Sequence, residues 1–252
     1  LRAMSTAPHY KANLRDIQFN LFEFLRIQES ALGKKPFDGL DEATARQTLE
    51  TMLPVCTGAL AEGFTEGDRV PLGFDPKTGT VTMSPLMKKA YQAYFDAGLN
   101  TLDLPQHLGG VGAPPSFAWG AFELVVGANP ALAFYFLGNV LARIIDDLAT
   151  DAQKKRFVGP MVERRWGGTM VLTEPDAGSD VGAARAKAKQ VKDDLWHIEG
   201  VKRFITNGDF DATENIIHLV LARPEGAGGG TKGLSMFIVP TFLVNDDGWL
   251  GE

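Results

Sequence analysis

The sequence predicts an α+β protein whose helices come first and whose strands come second. Apolar residues recur at helical spacing through most of the first 165 positions, and short runs rich in Val, Ile and Phe, separated by turn residues, fill the rest. No strand–helix–strand alternation links the two parts, which excludes a doubly wound sheet. With 252 residues, 44% of them hydrophobic, the chain can supply a real core, either as two small domains or as one larger one.

In the first helix Leu14, Ile17, Leu21, Phe24 and Leu25 form the apolar stripe, with Asn13 as N-cap and Asp16 favouring the first turn. After a break at 33–39, Asp41 is positioned to cap a second helix carrying Ala45, Leu49, Leu53, Cys56 and Leu60, which Pro54 should kink. Weak alternation over 69–82 around Asp75-Pro76-Lys77-Thr78-Gly79 predicts a short hairpin. Ser84 and Pro85 supply the cap and first position of the next helix, and Gly98 ends it. The loop at 102–115 carries Gly109-Gly110-Val111-Gly112, yet no buried strand precedes it and GxGxxG is not matched, so a phosphate-binding turn is not expected. Helices follow over 116–127 and 130–148, the second apolar on most faces and expected to be buried, and Thr150 caps another that ends near Arg165.

Beyond Trp166 the period changes. Strands are predicted over 169–173, 186–191, 196–205, 215–222 and 234–239. The Gly-rich tract 226–230 reads as a flexible hairpin loop.

A formal charge of −6 without any run of five or six like charges argues against a nucleic-acid partner held by phosphate contacts. The single cysteine, Cys56, excludes an intrachain disulfide framework and fits a reducing compartment, with the cytoplasm as default. The densest apolar run, 131–140, is too short to span a bilayer and is interrupted by Gly138 and Asn139, and neither a signal peptide nor a membrane anchor is read. The histidines His9, His107, His197 and His218 lack metal-ligand spacing, and Asp176 and Asp180 lie in a turn-rich stretch where Asp is favoured anyway, so no metal is expected. No serine sits in a GxSxG setting.

Two strand-end motifs stand out: Leu172-Thr173-Glu174-Pro175-Asp176-Ala177-Gly178-Ser179-Asp180 and Gly200-Val201-Lys202-Arg203-Phe204-Ile205-Thr206-Asn207-Gly208. Each places a threonine where a β run gives way to glycine or proline. Loops that leave a rigid strand present amides and hydroxyls to a ligand, and glycine permits close approach. Taken alone, either motif could also be a structural turn.

The first motif resembles the acyl-CoA dehydrogenase signature, in which Thr-Glu is followed after two residues by a small residue, Gly, Ser or Thr, and Asp. The second is similar to that family's Lys-x-Trp/Phe-Ile-Thr-Asn-Gly segment. Leu104-Pro105 leading to Gly109-Gly110-Val111-Gly112, and Asp151-Ala152-Gln153-Lys154-Lys155 ahead of the first signature, agree with the family. The stretch from Pro8 to Leu25 resembles the N-terminal extension of a subgroup that includes long-chain acyl-CoA and 3-methylthiopropanoyl-CoA dehydrogenases. One departure is Val171, where the signature usually begins with a small residue.

The resemblance implies an extension helix (1–35), an α-helical domain (36–165) and an incomplete, antiparallel β-barrel-like domain (166–252), with a further C-terminal helical domain absent from this chain. It implies FAD-dependent α,β-desaturation of an acyl-CoA to trans-2-enoyl-CoA, with electron-transfer flavoprotein as acceptor and a homo-oligomer, dimer or tetramer, as the assembly. By the same resemblance, the backbone at Met170 and Leu172 and both backbone and hydroxyl of Thr173 face the flavin's pyrimidine edge. Thr206 faces N5, with Phe204 against the ring and Ile205 beside it. Ser179, with Gly178, contacts the FAD phosphates or the CoA arm. Ala133, Phe136 and Leu137, with Leu132 and Val140, lie near the acyl chain. Glu174 is not the catalytic base, which the family carries on the C-terminal domain, beyond Glu252. Two alternatives stay open: a same-fold flavoprotein with a binding role, of the DNA-associated alkylation-response type, and a non-catalytic fragment.

Overall fold

The first helix changes character along its length. In the computed structural model, which describes residues 9–251, α1 (Leu14–Gln18) runs into a π-helical segment, Phe19–Phe24, closed by the Leu25 amide on the Asn20 carbonyl. Pro8 of the expected extension and Glu252 lie outside the described residues. The wider π turn rotates the apolar face: Phe22 joins Ile17 and Leu21 in the core, whereas Phe24 and Leu25, expected on the stripe, are exposed. Asn13 caps no amide; its side chain bonds the Asp16 carboxylate at 2.7 Å.

After the short α2 (Ile27–Ser30), α3 (Glu42–Val55) starts where expected, with the Thr44 amide donating to Asp41 at 2.7 Å. That bond holds the Asp41 carboxyl below its usual range. Pro54 lies inside α3, and shortly after it the ladder widens into a second π segment, Cys56–Leu60. Ala45, Leu49, Met52, Cys56 and Leu60 are buried, and burial pushes the Cys56 thiol up to about 12, which makes it a packing residue. Next come α4 (Phe64–Arg69) and the expected hairpin, β1 (Gly73–Asp75) with β2 (Thr80–Thr82).

Helix α5 (Pro85–Asp96) begins at the predicted residue, but its cap is not Ser84. The Leu86 amide donates instead to Glu66 of α4 at 3.0 Å. The glycine loop that follows folds on itself, with the amides of Gly110, Val111, Gly112 and Ala113 donating to the carbonyls of Pro105, Thr101, Leu104 and Leu102. A Cβ on Gly110 would lie 2.1 Å from the Leu104 carbonyl oxygen, so Gly110 serves packing, whereas Gly109 and Gly112 take left-handed backbone, φ +82° and +66°.

Helix α6 (Pro115–Ala128) is as expected, but the single helix anticipated over 130–148 is broken. It forms α7 (Pro130–Ala133), a 3-10 turn (Phe134–Phe136) and α8 (Gly138–Leu148), with the low-propensity pair Gly138-Asn139 at the break. Phe134, Val140 and Leu148 are exposed, so burial on most faces does not hold. In α9 (Asp151–Glu163), Thr150 and Gln153 form the reciprocal capping box.

The chain divides into two compact units, Leu1–Phe136 with Phe210–Ala212, and Leu137–Asp209 with Thr213–Glu252. Secondary structure changes type at 166, but the compact units part at 136–137. The first unit is helical, with a core that includes Leu49, Phe117, Leu124 and Leu132 and an aromatic cluster of Tyr91, Tyr94, Phe95, Phe136 and Phe210. The second packs α8 and α9 with a five-stranded sheet of β3 (Gly167–Val171), β4 (Lys187–Lys192), β5 (Leu195–Glu199), β6 (Ile216–Pro224) and β7 (Ser235–Pro240). Leu141 and the bare Cα of Gly138 rest on Gly168, which is why α8 goes with the strands.

The α+β class expected from the sequence is what forms, but the sheet is mixed rather than antiparallel throughout. β6 is the spine: it pairs antiparallel with β7 along one edge and parallel with β3, then β4, along the other, and β4 pairs antiparallel with β5. The strand anticipated over 196–205 stops at Glu199, because Gly200 has φ +154° and its bare Cα lies against Ala186. The 226–230 tract is not a free loop. Arg223 donates to the Gly228 and Gly230 carbonyls, and to Gly182 at 2.9 Å.

Candidate functional site

Both motifs lie in the strand-bearing unit, and the fold ties them together. The Gly167 amide donates to Asn215, so in the parallel ladder Gly167, Thr169 and Val171 direct their amides at β6 while that of Met170 points away from it. Beyond β3 the chain turns sharply: the amides of Glu174 and Ala177 donate to each other's carbonyls at 3.0 and 3.1 Å, around Pro175-Asp176. Thr173, half-buried, sits just before this turn, and its carbonyl accepts from the Arg203 amide of the second motif at 2.9 Å.

The second motif is an irregular loop. Phe204 has φ +60° and Asn207 φ +58°, and the Gly208 amide closes a turn on the Ile205 carbonyl at 3.1 Å. Left-handed backbone is uncommon for a bulky side chain and costs on the order of 1 kcal/mol or more. Phe204 is 79% exposed, so core packing does not explain its presence; the Arg203 guanidinium lies 4.7 Å from its ring centroid. Thr206, at the next turn position, is exposed, and Ile205 is half-buried.

Glu174 and Lys202 bind these segments. Glu174 is 6% exposed, and its oxygens accept from the Arg185 amide (2.6 Å), the Ala186 amide (3.0 Å) and Lys202 Nζ (2.9 Å). Burial pushes this carboxyl up, but the Arg185 amide, the Lys202 ammonium and the Ala186 amide together outweigh it and hold the group below the usual carboxylate range. An ionised carboxylate with three donors is poorly suited to collecting a substrate proton. Sequence reasoning gave Lys202 no role, although its place two residues before Phe204 in the same motif was a usable signal.

Gly178 and Ser179 are exposed beyond the turn, and a Cβ on Gly178 would meet nothing within 4 Å. The chain's own packing therefore does not demand glycine there. Asp176 pairs with Arg185 at 3.3 Å, both exposed. Among the described residues, no group of three His, Cys, Asp or Glu side chains could hold a metal ion, and no helix is long and apolar enough to cross a membrane. Of the residues anticipated near an acyl chain, Leu132, Ala133 and Phe136 are buried in the helical unit, where the Phe136 ring stacks on Tyr94 at 3.6 Å. Leu137 belongs to the other unit and is half-buried, and Val140 is exposed.

In this α+β chain the two threonine-bearing loops are joined at the end of β3 by the Arg203 amide and the Thr173 carbonyl, and they leave Phe204 and Thr206 exposed. Residues 169–248 match the acyl-CoA dehydrogenase middle domain. Over 238 residues the chain is 52% identical to the broad-specificity linear acyl-CoA dehydrogenase FadE5 of Mycobacterium tuberculosis, covering 94% of this chain and 39% of that protein. It is 35% identical over 244 residues to the 3-methylmercaptopropionyl-CoA dehydrogenase of Ruegeria pomeroyi, covering 95% of this chain and 40% of that one. The solved structure of glutaryl-CoA dehydrogenase from Mycobacterium smegmatis shares the fold, with a TM-score of 0.61 at 21% identity over 81% of this chain and 47% of that one. The chain belongs to the acyl-CoA dehydrogenase family, and it spans about two fifths of the length of these curated relatives.

Proposed function

We propose that this chain forms the flavin-facing part of an acyl-CoA dehydrogenase that desaturates an acyl-CoA thioester between its α and β carbons to trans-2-enoyl-CoA. The observation that carries this reading is the joining of the two motifs through the Arg203 amide and the Thr173 carbonyl. It brings a half-buried threonine, an exposed aromatic ring and an exposed threonine into connected segments, a donor set that fits an isoalloxazine ring. FAD, when bound, supplies the hydride acceptor.

In this reading the backbone at Met170 and Leu172 and the amide and hydroxyl of Thr173 stabilise negative charge on the pyrimidine edge, as an oxyanion hole does. Phe204 and Ile205 lie against the ring, and Thr206 donates near N5. Ser179 and Gly178 take the phosphate end of FAD or the CoA arm, and Ala133, Phe136 and Leu137 border the acyl chain. Glu174 takes no proton. The base belongs to the part of the full-length enzyme that this chain does not span. Electron-transfer flavoprotein as acceptor, a homo-oligomeric assembly and a cytoplasmic setting complete the proposal, and all three rest on family membership.

The test is anaerobic titration of the full-length protein with a panel of acyl-CoAs, read as bleaching of bound flavin, after fluorescence of the released cofactor identifies it as FAD. Bleaching by one or more of the panel supports the proposal. Tightly bound FAD that no acyl-CoA bleaches would favour a binding role instead, and a protein that takes up no FAD would overturn the reading.

A further inference from the structure

Lys202 occupies an unusual position for a lysine. It is 12% exposed, and its ammonium lies 2.9 Å from the Leu172 carbonyl oxygen and 2.9 Å from Glu174 Oε1. The first contact bears on the ligand-facing backbone. In a planar trans peptide the carbonyl and the following N–H point in opposite directions. With the Leu172 carbonyl held on Lys202, the Thr173 N–H of the same peptide points away from it. The next carbonyl, that of Thr173, is held by the Arg203 amide. Both peptides flanking the Thr173 Cα are thereby fixed by adjacent residues of the second motif.

The charge adds to the geometry. A cation on the carbonyl end of an amide polarises the group and strengthens its N–H as a donor, and low surrounding polarity enlarges the effect. A buried ammonium is tolerated only with a partner, which Glu174 provides, itself anchored by two amides just before β4.

We infer that Lys202, neutralised by Glu174, is a positioning residue that aims the Thr173 amide at the cofactor and raises its donor strength, so that the pair tunes the bound flavin. This rests on the flavin-facing role proposed above for Thr173. It goes further by assigning the aim and strength of that donor to an ion pair that itself touches neither cofactor nor substrate.

The experiment uses the full-length holoprotein with Lys202→Met, Lys202→Arg and the double variant Glu174→Gln/Lys202→Met. It reads FAD affinity, reduction potential and visible spectrum of the bound flavin, alongside the melting temperature of the apoprotein. Lys202→Met is expected to weaken FAD binding up to roughly tenfold, because the Thr173 donor is then less firmly aimed and weaker, to lower the reduction potential and to shift the visible bands. Lys202→Arg should restore the potential in part. The double variant, which leaves no lone buried charge, should recover melting temperature but not potential, and it carries the test if Lys202→Met does not fold. A Lys202→Met flavin with wild-type potential and spectrum overturns the inference, and so does a double variant with wild-type potential, because packing alone would then suffice. A wild-type protein without FAD would instead overturn the proposed function, and the inference with it.

Discussion

His218 Nδ1 lies 2.6 Å from the Thr169 hydroxyl, and its Nε2 lies 2.9 Å from the hydroxyl of Thr241, so one imidazole joins β3, β6 and the end of β7. Thr169 is fully buried. Burial lowers the His218 pKa, with Asp209 opposing the shift only in part. The neutral ring can donate at one nitrogen and accept at the other, which suits two hydroxyl partners.

A pH dependence follows. The unfolded histidine titrates near about 6.5 and the folded one lower, so between those values the unfolded state binds more protons. The stabilisation is complete above the unfolded value and is lost as pH falls through the depressed folded one. Thermal melts between about pH 7 and pH 5 should show wild type losing stability more steeply than His218→Gln, and parallel curves would refute this. Glu174 and Asp211 act in a different window. Both are held below the carboxylate range despite burial, chiefly by hydrogen bonds from the Arg185 amide and from Lys88 respectively, so their contributions disappear only at more acid pH.

Two glycines of the strand-bearing unit should respond unequally to alanine. At Gly138 a Cβ would lie 2.1 Å from the Trp166 carbonyl oxygen, a backbone atom that cannot swing aside. Gly138→Ala should cost about 2–3 kcal/mol as overpacking. At Gly159, inside α9, a Cβ meets nothing of the surrounding fold within 4 Å, but Pro160 follows it in the helix and crowds a preceding Cβ, which offsets the gain in helix propensity, so Gly159→Ala should change stability by less than about 0.5 kcal/mol. Denaturant titration of both variants checks the pair; equal effects would refute the cost assigned to the close approach at Gly138.

The cap of α5 gives a third expectation. Ser84 stands at the N-cap, but its hydroxyl is buried without a hydrogen-bond partner among the described residues, whereas Glu66 accepts from the Leu86 amide. Ser84→Ala should therefore be neutral or slightly stabilising, and Glu66→Ala should cost about 1 kcal/mol, the usual worth of a cap. The reverse order in melting temperature would return the cap to Ser84.

Thr206→Val in the full-length enzyme should slow flavin reduction on the order of 10²-fold, by removing one donor that acts on the transition state. Stopped-flow reduction by a saturating acyl-CoA, with circular dichroism to confirm the fold, measures it. An unchanged rate would remove Thr206 from the site.

Element types were legible because their determinants are local. Asp41 with Thr44, Thr150 with Gln153, and the hairpin across Asp75 and Gly79 all act within a few residues, where propensity and capping decide. The two motifs were legible as strand-end turns for the same reason, and their proposed roles came from the family resemblance. Tertiary structure decided whatever depends on a distant partner. The π segment at 19–24 chose Phe22 over Phe24, and α8 separated from α7 where Gly138 meets the Trp166 carbonyl. Glu66 caps a helix 20 residues away, and β6 pairs parallel with two strands that precede it, an arrangement alternation alone does not specify. Lys202 reaches a carbonyl 30 residues back. Periodicity records which face of a segment is buried and where a segment stops; it carries no record of which distant backbone group a buried charge will meet.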